Sequence, residues 1–223
     1  MNTDEILAAL ERLGKPGTAA IYRRHGAGES AFGVLTSEIA RLRKTHRVGH
    51  DSAAELWRTG NAEARILALL AVDPGRLTRA DAETWVGDGP LRFLGCYLAP
   101  LLARSPIAEE TMRDWMASSD ASRREMGYAI LAERVRADPD ALDDGGAERV
   151  LRTIEDEIHG AANWVRYAMN GALIAIGVAK PALRGTALAA ARRIGTVEVD
   201  HGETYCKTPD AVLKLRQAER RRR

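Results

Sequence analysis

The stretch NWVRYAMNGALIAI, residues 163–176, carries the periodicity that decides the fold. Its apolar residues recur mostly three or four positions apart, and they are Trp164, Ala168, Met169, Leu173 and Ile176. Apolar residues at this spacing share one face of an α-helix, so the stretch predicts a helix with one buried face.

The same helical spacing continues on both sides of this stretch. It recurs in Phe32, Leu35, Ile39 and Leu42, in Leu91, Leu94, Leu98, Leu101 and Leu102, and in Leu183, Ala187, Ala191 and Ile194. Short breaks such as Asp73-Pro74-Gly75, Asp138-Pro139 and Lys180-Pro181 separate the periodic stretches. Strand-like alternation is nearly absent, and only residues 196–200 read as extended. The sequence therefore predicts an all-α protein.

The helix pairs recur at intervals of roughly 35–40 residues with weak self-similarity, which is typical of drifted repeats. This pattern predicts a right-handed α-solenoid of HEAT-like or armadillo-type repeats, whose concave face suits an extended partner. We expect one domain over residues 1–223. Within it we expect a polar, non-helical segment at 196–210 and a basic C-terminal helix or tail at 211–223.

The composition is that of a soluble globular protein. The 223 residues carry a net charge of only +2, and no apolar run approaches the ~20 residues of a membrane-spanning helix. The acidic N-terminus lacks the basic and apolar regions of a secretory signal, so we expect a cytoplasmic protein that does not bind membranes. Cys96 and Cys206 are far apart in sequence, which favours reduced thiols.

Several short stretches resemble the AlkD-like DNA alkylation-repair proteins. They are Leu56-Trp57-Arg58, Glu63-Ala64-Arg65, Ser122-Arg123-Arg124-Glu125-Met126-Gly127, Asn163-Trp164-Val165-Arg166-Tyr167-Ala168 and Val199-Asp200-His201-Gly202, together with Trp85. The likeness covers about residues 30–210. It implies a HEAT-like solenoid that holds double-stranded DNA on a positively charged concave face.

The resemblance also implies where the chain departs from active members. Those proteins recognise a damaged base with an aromatic residue and a carboxylate four positions apart, together with a second aromatic residue on a later helix. By position these fall on Arg92, Cys96 and Gly171. Neither arginine nor cysteine replaces a carboxylate that stabilises positive charge on the sugar. The resemblance therefore implies DNA binding more strongly than glycosylase activity.

The basic residues divide into two groups. Arg123, Arg124 and Arg166 fall where the family places cations that touch phosphate, and Arg43 and Lys44 belong to a local basic cluster. A structural alternative stays open, in which Arg123 and Arg166 pair with Glu125, Glu133 or Glu157 and join neighbouring repeats.

The polar stretch at residues 200–210 allows other interpretations. Cys206 with His201 as its base forms a weak candidate for catalysis, since a nearby imidazole promotes thiolate formation. The spacing of Asp200, His201, Glu203 and Cys206 fits no closed metal set, so no metal is predicted. No phosphate-binding glycine motif occurs either, and no cofactor is predicted. In a purely structural interpretation, Thr208 caps the final helix and Pro209 is its first residue.

Further residues are candidates for a pocket. If the 200–210 stretch folds over the helix at residue 163, one pocket would combine Asn163, Arg166, Asn170, His201, Tyr205 and Cys206. Arg92 is a further candidate. Trp57 and Trp164 are weaker ones, because tryptophan at helical spacing is more often core. The leading hypothesis is a DNA-binding protein. The alternatives are a HEAT-like module for an acidic protein partner and a small-substrate enzyme that uses His201 and Cys206.

Overall fold

The computed structural model describes residues 2–89 and 91–220, and these residues form thirteen α-helices and no β-strand. The helices are α1 (Thr3–Leu13), α2 (Pro16–Arg24), α3 (Thr36–Thr45), α4 (Ala53–Arg58), α5 (Ala62–Ala71), α6 (Arg79–Asp88), α7 (Leu91–Ala103), α8 (Ala108–Met116), α9 (Ala121–Ala137), α10 (Asp144–Glu157), α11 (Asn163–Ala179), α12 (Arg184–Ile194) and α13 (Ala211–Arg220). The prediction of an all-α fold is confirmed.

The chain contacts divide the residues into two compact units. The first unit contains α1 to α7 together with residues 202–204, and the second contains α8 to α13. The sequence prediction of a single domain over residues 1–223 is not decided by this division and stays a prediction.

Several helices begin at a residue whose side chain accepts a hydrogen bond from the first turn. Asn61 accepts from the Ala64 amide at the start of α5, and Asp120 accepts from the Arg123 amide at the start of α9. At α6, Thr78 and Asp81 bond each other's backbone amides in a capping box. Such caps satisfy amides that have no partner inside the helix, so each of these helices begins at a defined residue.

In the first unit, α5 packs against α1, α3, α4 and α7 and is buried over most of its length. The carboxylate of Glu63 on this helix is completely buried, and it accepts hydrogen bonds from the backbone amides of Phe32 (3.0 Å), Gly33 (2.6 Å) and Val34 (3.1 Å). Three donors compensate the buried charge of Glu63. In turn, the carboxylate provides acceptors for three backbone amides of a non-helical stretch that would otherwise have none.

The second unit is built around α9 and α11, which pack side by side. Glycine permits two close helix contacts here. A Cβ atom at Gly127 would lie 2.5 Å from the Met116 backbone nitrogen at the end of α8, and one at Gly177 would lie 2.5 Å from the Leu215 side chain on α13. A side chain at either position would force neighbouring helices apart.

Residues 195–210 contain no helix and lead into α13. This last helix begins at Ala211. The structural alternative in which Thr208 caps the helix and Pro209 is its first residue is wrong by two residues. Asp210 is the capping residue, since its carboxylate accepts a hydrogen bond from the Leu213 amide (2.9 Å). Thr208 does not cap the helix, because its hydroxyl contacts the His201 side chain. Pro209 precedes the helix, and its carbonyl accepts a hydrogen bond from the Asn170 side chain.

Among the described residues, no single helix is both long and apolar enough to cross a membrane. One bent pair, Asn163–Ala179 with Pro181–Ile194 at 114°, meets the criterion by length and composition alone.

Replacing Glu63 with alanine leaves three amides without an acceptor. We expect Glu63→Ala to lower the free energy of unfolding by about 3 kcal/mol or more, since each unsatisfied buried donor costs ~1–3 kcal/mol. Urea denaturation followed by circular dichroism measures the change. Glu29→Ala is the matched control, because the Glu29 side chain is 96% exposed. Equal stability of the two variants would contradict this role of Glu63.

Candidate functional site

The polar face of α11 lies under the segment of residues 196–210, which we call the 196–210 segment. Asn163 forms two hydrogen bonds with Asp200. Its side-chain nitrogen donates to the Asp200 carbonyl (2.9 Å), and its side-chain oxygen accepts from the Asp200 amide (2.8 Å). The Asn163 amide therefore bonds one residue of the segment as a neighbouring strand would, and it fixes the start of the non-helical stretch on α11.

Two further contacts hold the other end of the 196–210 segment. The Asn170 side chain, which is only 2% exposed, donates to the Pro209 carbonyl (2.8 Å). Nε2 of His201 lies 3.0 Å from the Thr208 hydroxyl, so the segment is closed by a contact between residues seven positions apart. Asparagine has poor helix propensity, and these contacts explain why α11 contains two such residues.

Three rings form a cluster on α11 and the adjoining segment. The centroids of Trp164, Tyr167 and His201 lie 5.6–5.8 Å apart, and each pair meets edge to face. This geometry suits the quadrupoles of aromatic rings, so the cluster fixes the His201 ring from two sides.

The 196–210 segment does not enclose the pocket expected from sequence. Tyr205 and Cys206 are exposed, and Tyr205 is 104% exposed, so neither is the wall of an enclosed site. A pocket of about 400 Å³ lies instead at the two ends of this segment, and its lining includes Asn170, Arg192, Val197, Thr208, Asp210 and Val212. His201 and Cys206 are not among the described residues that line it. A catalytic pair of His201 and Cys206 therefore stays a prediction.

Among residues 2–89 and 91–220, no group of three or more histidine, cysteine, aspartate or glutamate side chains is arranged to hold a metal ion.

The cations on α9 and α11 differ in what they contact. Arg124 forms an ion pair with Glu157, and its side chain is 25% exposed. Glu133, another expected partner, pairs with Arg136 (2.6 Å). Arg166 is partly buried, its Nε atom has no hydrogen-bond partner, and it takes part in no ion pair within the described residues. The structural alternative, in which Arg166 pairs with Glu125, Glu133 or Glu157, is wrong for Arg166, since Glu157 pairs with Arg124, Glu133 pairs with Arg136, and Glu125 forms no ion pair within the described residues.

Arg123, Arg124 and Arg166 also share an unusual position. All three lie in the first turn of their helices, and neither α9 nor α11 has an acidic residue there. Cations near a helix N-terminus oppose the helix dipole, which costs ~0.3–1 kcal/mol each at exposed sites. Helix stability alone does not account for this placement, whereas an anion bound at these turns would offset its cost.

Glu125 follows these arginines and is a carboxyl group that sequence reasoning treated only as a salt-bridge partner. It is partly buried on α9 and has no hydrogen bond or ion pair with any residue in the described ranges. Burial raises the pKa of Glu125 from 4.5 to about 7. Its spacing from Ala129 and Ala132, at four and seven positions, is the sequence signal that indicates this burial.

The remaining candidates lie in the first unit. Arg43 and Lys44 are exposed in the last turn of α3. Trp57 is core, since it is 3% exposed and its ring lies 5.4 Å from that of Trp85. The guanidinium of Arg65 lies 4.9 Å from the Trp57 ring, and the desolvation of burial lowers the pKa of Arg65. Trp57 therefore cannot stack on a ligand in this conformation.

Arg92 and Cys96 occupy exposed positions one turn apart on α7. Within the first unit, the Arg92 side chain approaches two glycines. A Cβ atom at Gly26 would lie 3.2 Å from Arg92 Cδ, and one at Gly202 would lie 3.3 Å from both terminal guanidinium nitrogens. Both glycines have positive φ angles, 88° and 59°, so a larger residue there would be strained as well as crowded.

A family model described as DNA alkylation repair enzyme matches residues 6–215. The chain belongs to this family. Two similar proteins are the uncharacterized protein Lin0241 of Listeria innocua, at 29% identity, and the uncharacterized protein Lmo0209 of Listeria monocytogenes, at 28% identity. Each alignment covers 98% of this chain and 97% of the relative.

A solved structure extends this family assignment to the fold. It belongs to a family of proteins described as related to the HEAT-like repeat DNA glycosylases, with affinity for branched DNA structures. The TM-score is 0.90 at 26% identity, over 100% of this chain and 96% of the other. The predicted HEAT-like repeat fold and the resemblance to DNA alkylation-repair proteins are both confirmed.

The raised pKa of Glu125 predicts a pH-dependent loss of stability. The folded state holds the proton more tightly than the unfolded state, so this stabilising contribution is complete below about pH 4.5 and is lost as the pH rises through about 7. We expect Glu125→Gln, which imitates the protonated carboxyl, to gain about 2 kcal/mol over wild type between pH 5 and pH 8.5.

Urea denaturation at the two pH values measures this gain. Glu110→Gln on α8 changes an exposed glutamate and is the control. A Glu125→Gln difference from wild type that is the same at both pH values would show that the carboxyl does not titrate near neutrality.

Proposed function

We propose that this protein binds DNA through cations on α9 and α11, and that it favours branched DNA over linear duplex. The single observation that carries the proposal is Arg166, a partly buried arginine without an ion-pair partner among the described residues. The Nε atom of Arg166 is buried without an acceptor, and a buried donor is costly unless an anion or another acceptor meets it. A DNA phosphate is an anion whose oxygens match the planar donors of arginine.

The position of Arg166 supports a phosphate in particular. It lies in the first turn of α11, where helix amides and the positive end of the helix dipole favour an anion. Arg123 and Arg124 hold the same position on α9, which packs against α11. Cations placed this way contact the sugar-phosphate backbone without reading sequence. The preference for branched DNA is proposed from the affinity of the similar solved protein.

Base excision by the residues usual for the family is not part of the proposal. The positions matched to the aromatic residue and the carboxylate hold Arg92 and Cys96. A guanidinium cannot stabilise the positive charge that develops on the sugar as a base leaves, and a thiol does so poorly. We therefore propose a family member that recognises DNA structure rather than one that releases alkylated bases through this pair.

The test compares two arginines that carry the same charge. Arg166→Ala should reduce affinity for a fluorescently labelled three-way junction about five-fold and lower the slope of log affinity against log salt by about 1, because one phosphate contact is lost. Anisotropy titrations at several salt concentrations measure both quantities. Arg193→Ala is the control, since Arg193 is exposed and already paired with Glu155.

Equal losses in both variants would mean that only net charge matters. No loss in either would remove Arg166 from the interface. Competition by unlabelled duplex DNA distinguishes DNA binding from binding to an acidic protein. A surface specific for a protein partner would keep that partner bound when duplex DNA is added.

A further inference from the structure

Tyr205 differs from the other aromatic residues of the second unit in its exposure. Trp115 and Tyr128 are each 1% exposed, whereas Tyr205 is 104% exposed. The next most exposed large apolar side chain among the described residues, Leu213, is 52% exposed. A fully hydrated tyrosine ring contributes nothing to the core, so the fold does not explain why the ring is there.

The position of Tyr205 is nevertheless fixed by its neighbours in the chain. On one side, Asn163 holds Asp200 by two hydrogen bonds, and on the other, Asn170 holds Pro209. The contact of His201 with Thr208 closes the stretch between them. An exposed ring between such anchors loses less conformational freedom on binding than a ring on a loose chain, which favours its use as a contact residue.

The residues next to Tyr205 in the chain indicate which class of ligand its ring would contact. Lys207, two residues further on, is exposed and has no hydrogen bond or ion pair within the described part of the chain. An aromatic ring next to a free cation is the combination that binds single-stranded nucleic acid, where the ring stacks on a base and the cation meets the backbone phosphate. Glu203, two residues before Tyr205 in the chain, is an exposed carboxylate that would repel phosphate. We therefore expect Lys207, rather than the chain before Tyr205, to meet the phosphate.

We propose that Tyr205 stacks on an unpaired base of bound DNA, at a branch point or a strand end. Bases inside a duplex already stack on each other, so only an unpaired base offers a free face to the ring. This inference rests on the proposed DNA binding, and it assigns the contact with unpaired bases to Tyr205 while phosphate contacts remain with Arg166. Tyr205 would thus contribute to discrimination between branched DNA and linear duplex.

The experiment uses the full-length protein and a three-way junction with two unpaired bases at the branch, one of them 2-aminopurine. The fluorescence of 2-aminopurine falls when an aromatic ring stacks on it. Wild-type protein should quench this fluorescence on binding. Tyr205→Ala should abolish the quenching and weaken junction binding about ten-fold, while its affinity for fully paired duplex stays within about two-fold of wild type.

Two further variants make the result specific. Tyr205→Phe keeps the ring and should restore both quenching and junction affinity. Leu213→Ala removes another exposed apolar side chain and should behave as wild type. Because residue 205 makes no core contact, thermal unfolding of Tyr205→Ala should match wild type and rule out a folding defect.

The possible outcomes distinguish a failure of this inference from a failure of the proposed DNA binding. If wild type binds junction and duplex but Tyr205→Ala binds and quenches as wild type does, the stacking role is wrong and DNA binding stands. If Tyr205→Ala weakens junction and duplex equally, the ring does not discriminate unpaired bases and the inference is also wrong. If wild type binds no DNA at low salt, the proposed function itself fails.

Discussion

Backbone that leaves a helix beside a buried core must find hydrogen-bond partners, and in this protein side chains on α5 and α11 provide them. Glu63 accepts from three consecutive amides in the first unit. In the second unit, Asn163 and Asn170 bond the backbone at residues 200 and 209. Each arrangement places a polar side chain against a non-helical segment, and its hydrogen bonds provide partners for the backbone of that segment. The exposed position of Tyr205 depends on the second of these arrangements.

Helices α9 and α11 form the centre of the second unit with their apolar faces, and their first turns carry the arginines of the proposed binding site without any acidic residue. Arg124 is neutralised by Glu157, whereas Arg166 has no such partner in the described ranges. The proposed anion site is compatible with a net charge of only +2, since the charge that matters for it is the charge left unpaired at the site.

Sequence reasoning recovered the fold because helical periodicity and proline-containing breaks are local signals. It also singled out Asn163 and Asn170, whose poor helix propensity indicated a role outside the helix. It did not reveal which arginine is unpaired, because Arg124 and Glu157 are 33 residues apart and their contact depends on how α9 and α10 pack. The sequence also did not predict the burial of Glu63 or the raised pKa of Glu125, because both depend on how the helices pack. The alternative start of α13 at Pro209 was wrong because Thr208, its expected cap, contacts His201 and Asp210 caps the helix instead.

The central claim is that this member of the DNA alkylation repair family binds branched DNA without excising bases through the usual pair. The most direct measurement titrates wild-type protein with a three-way junction, a linear duplex and a methylated duplex at rising salt, and it assays released bases in the same tubes. The account predicts tighter binding to the junction, an affinity that falls linearly with log salt, and no released base. Release of methylated bases, or no binding to any DNA at low salt, would contradict it.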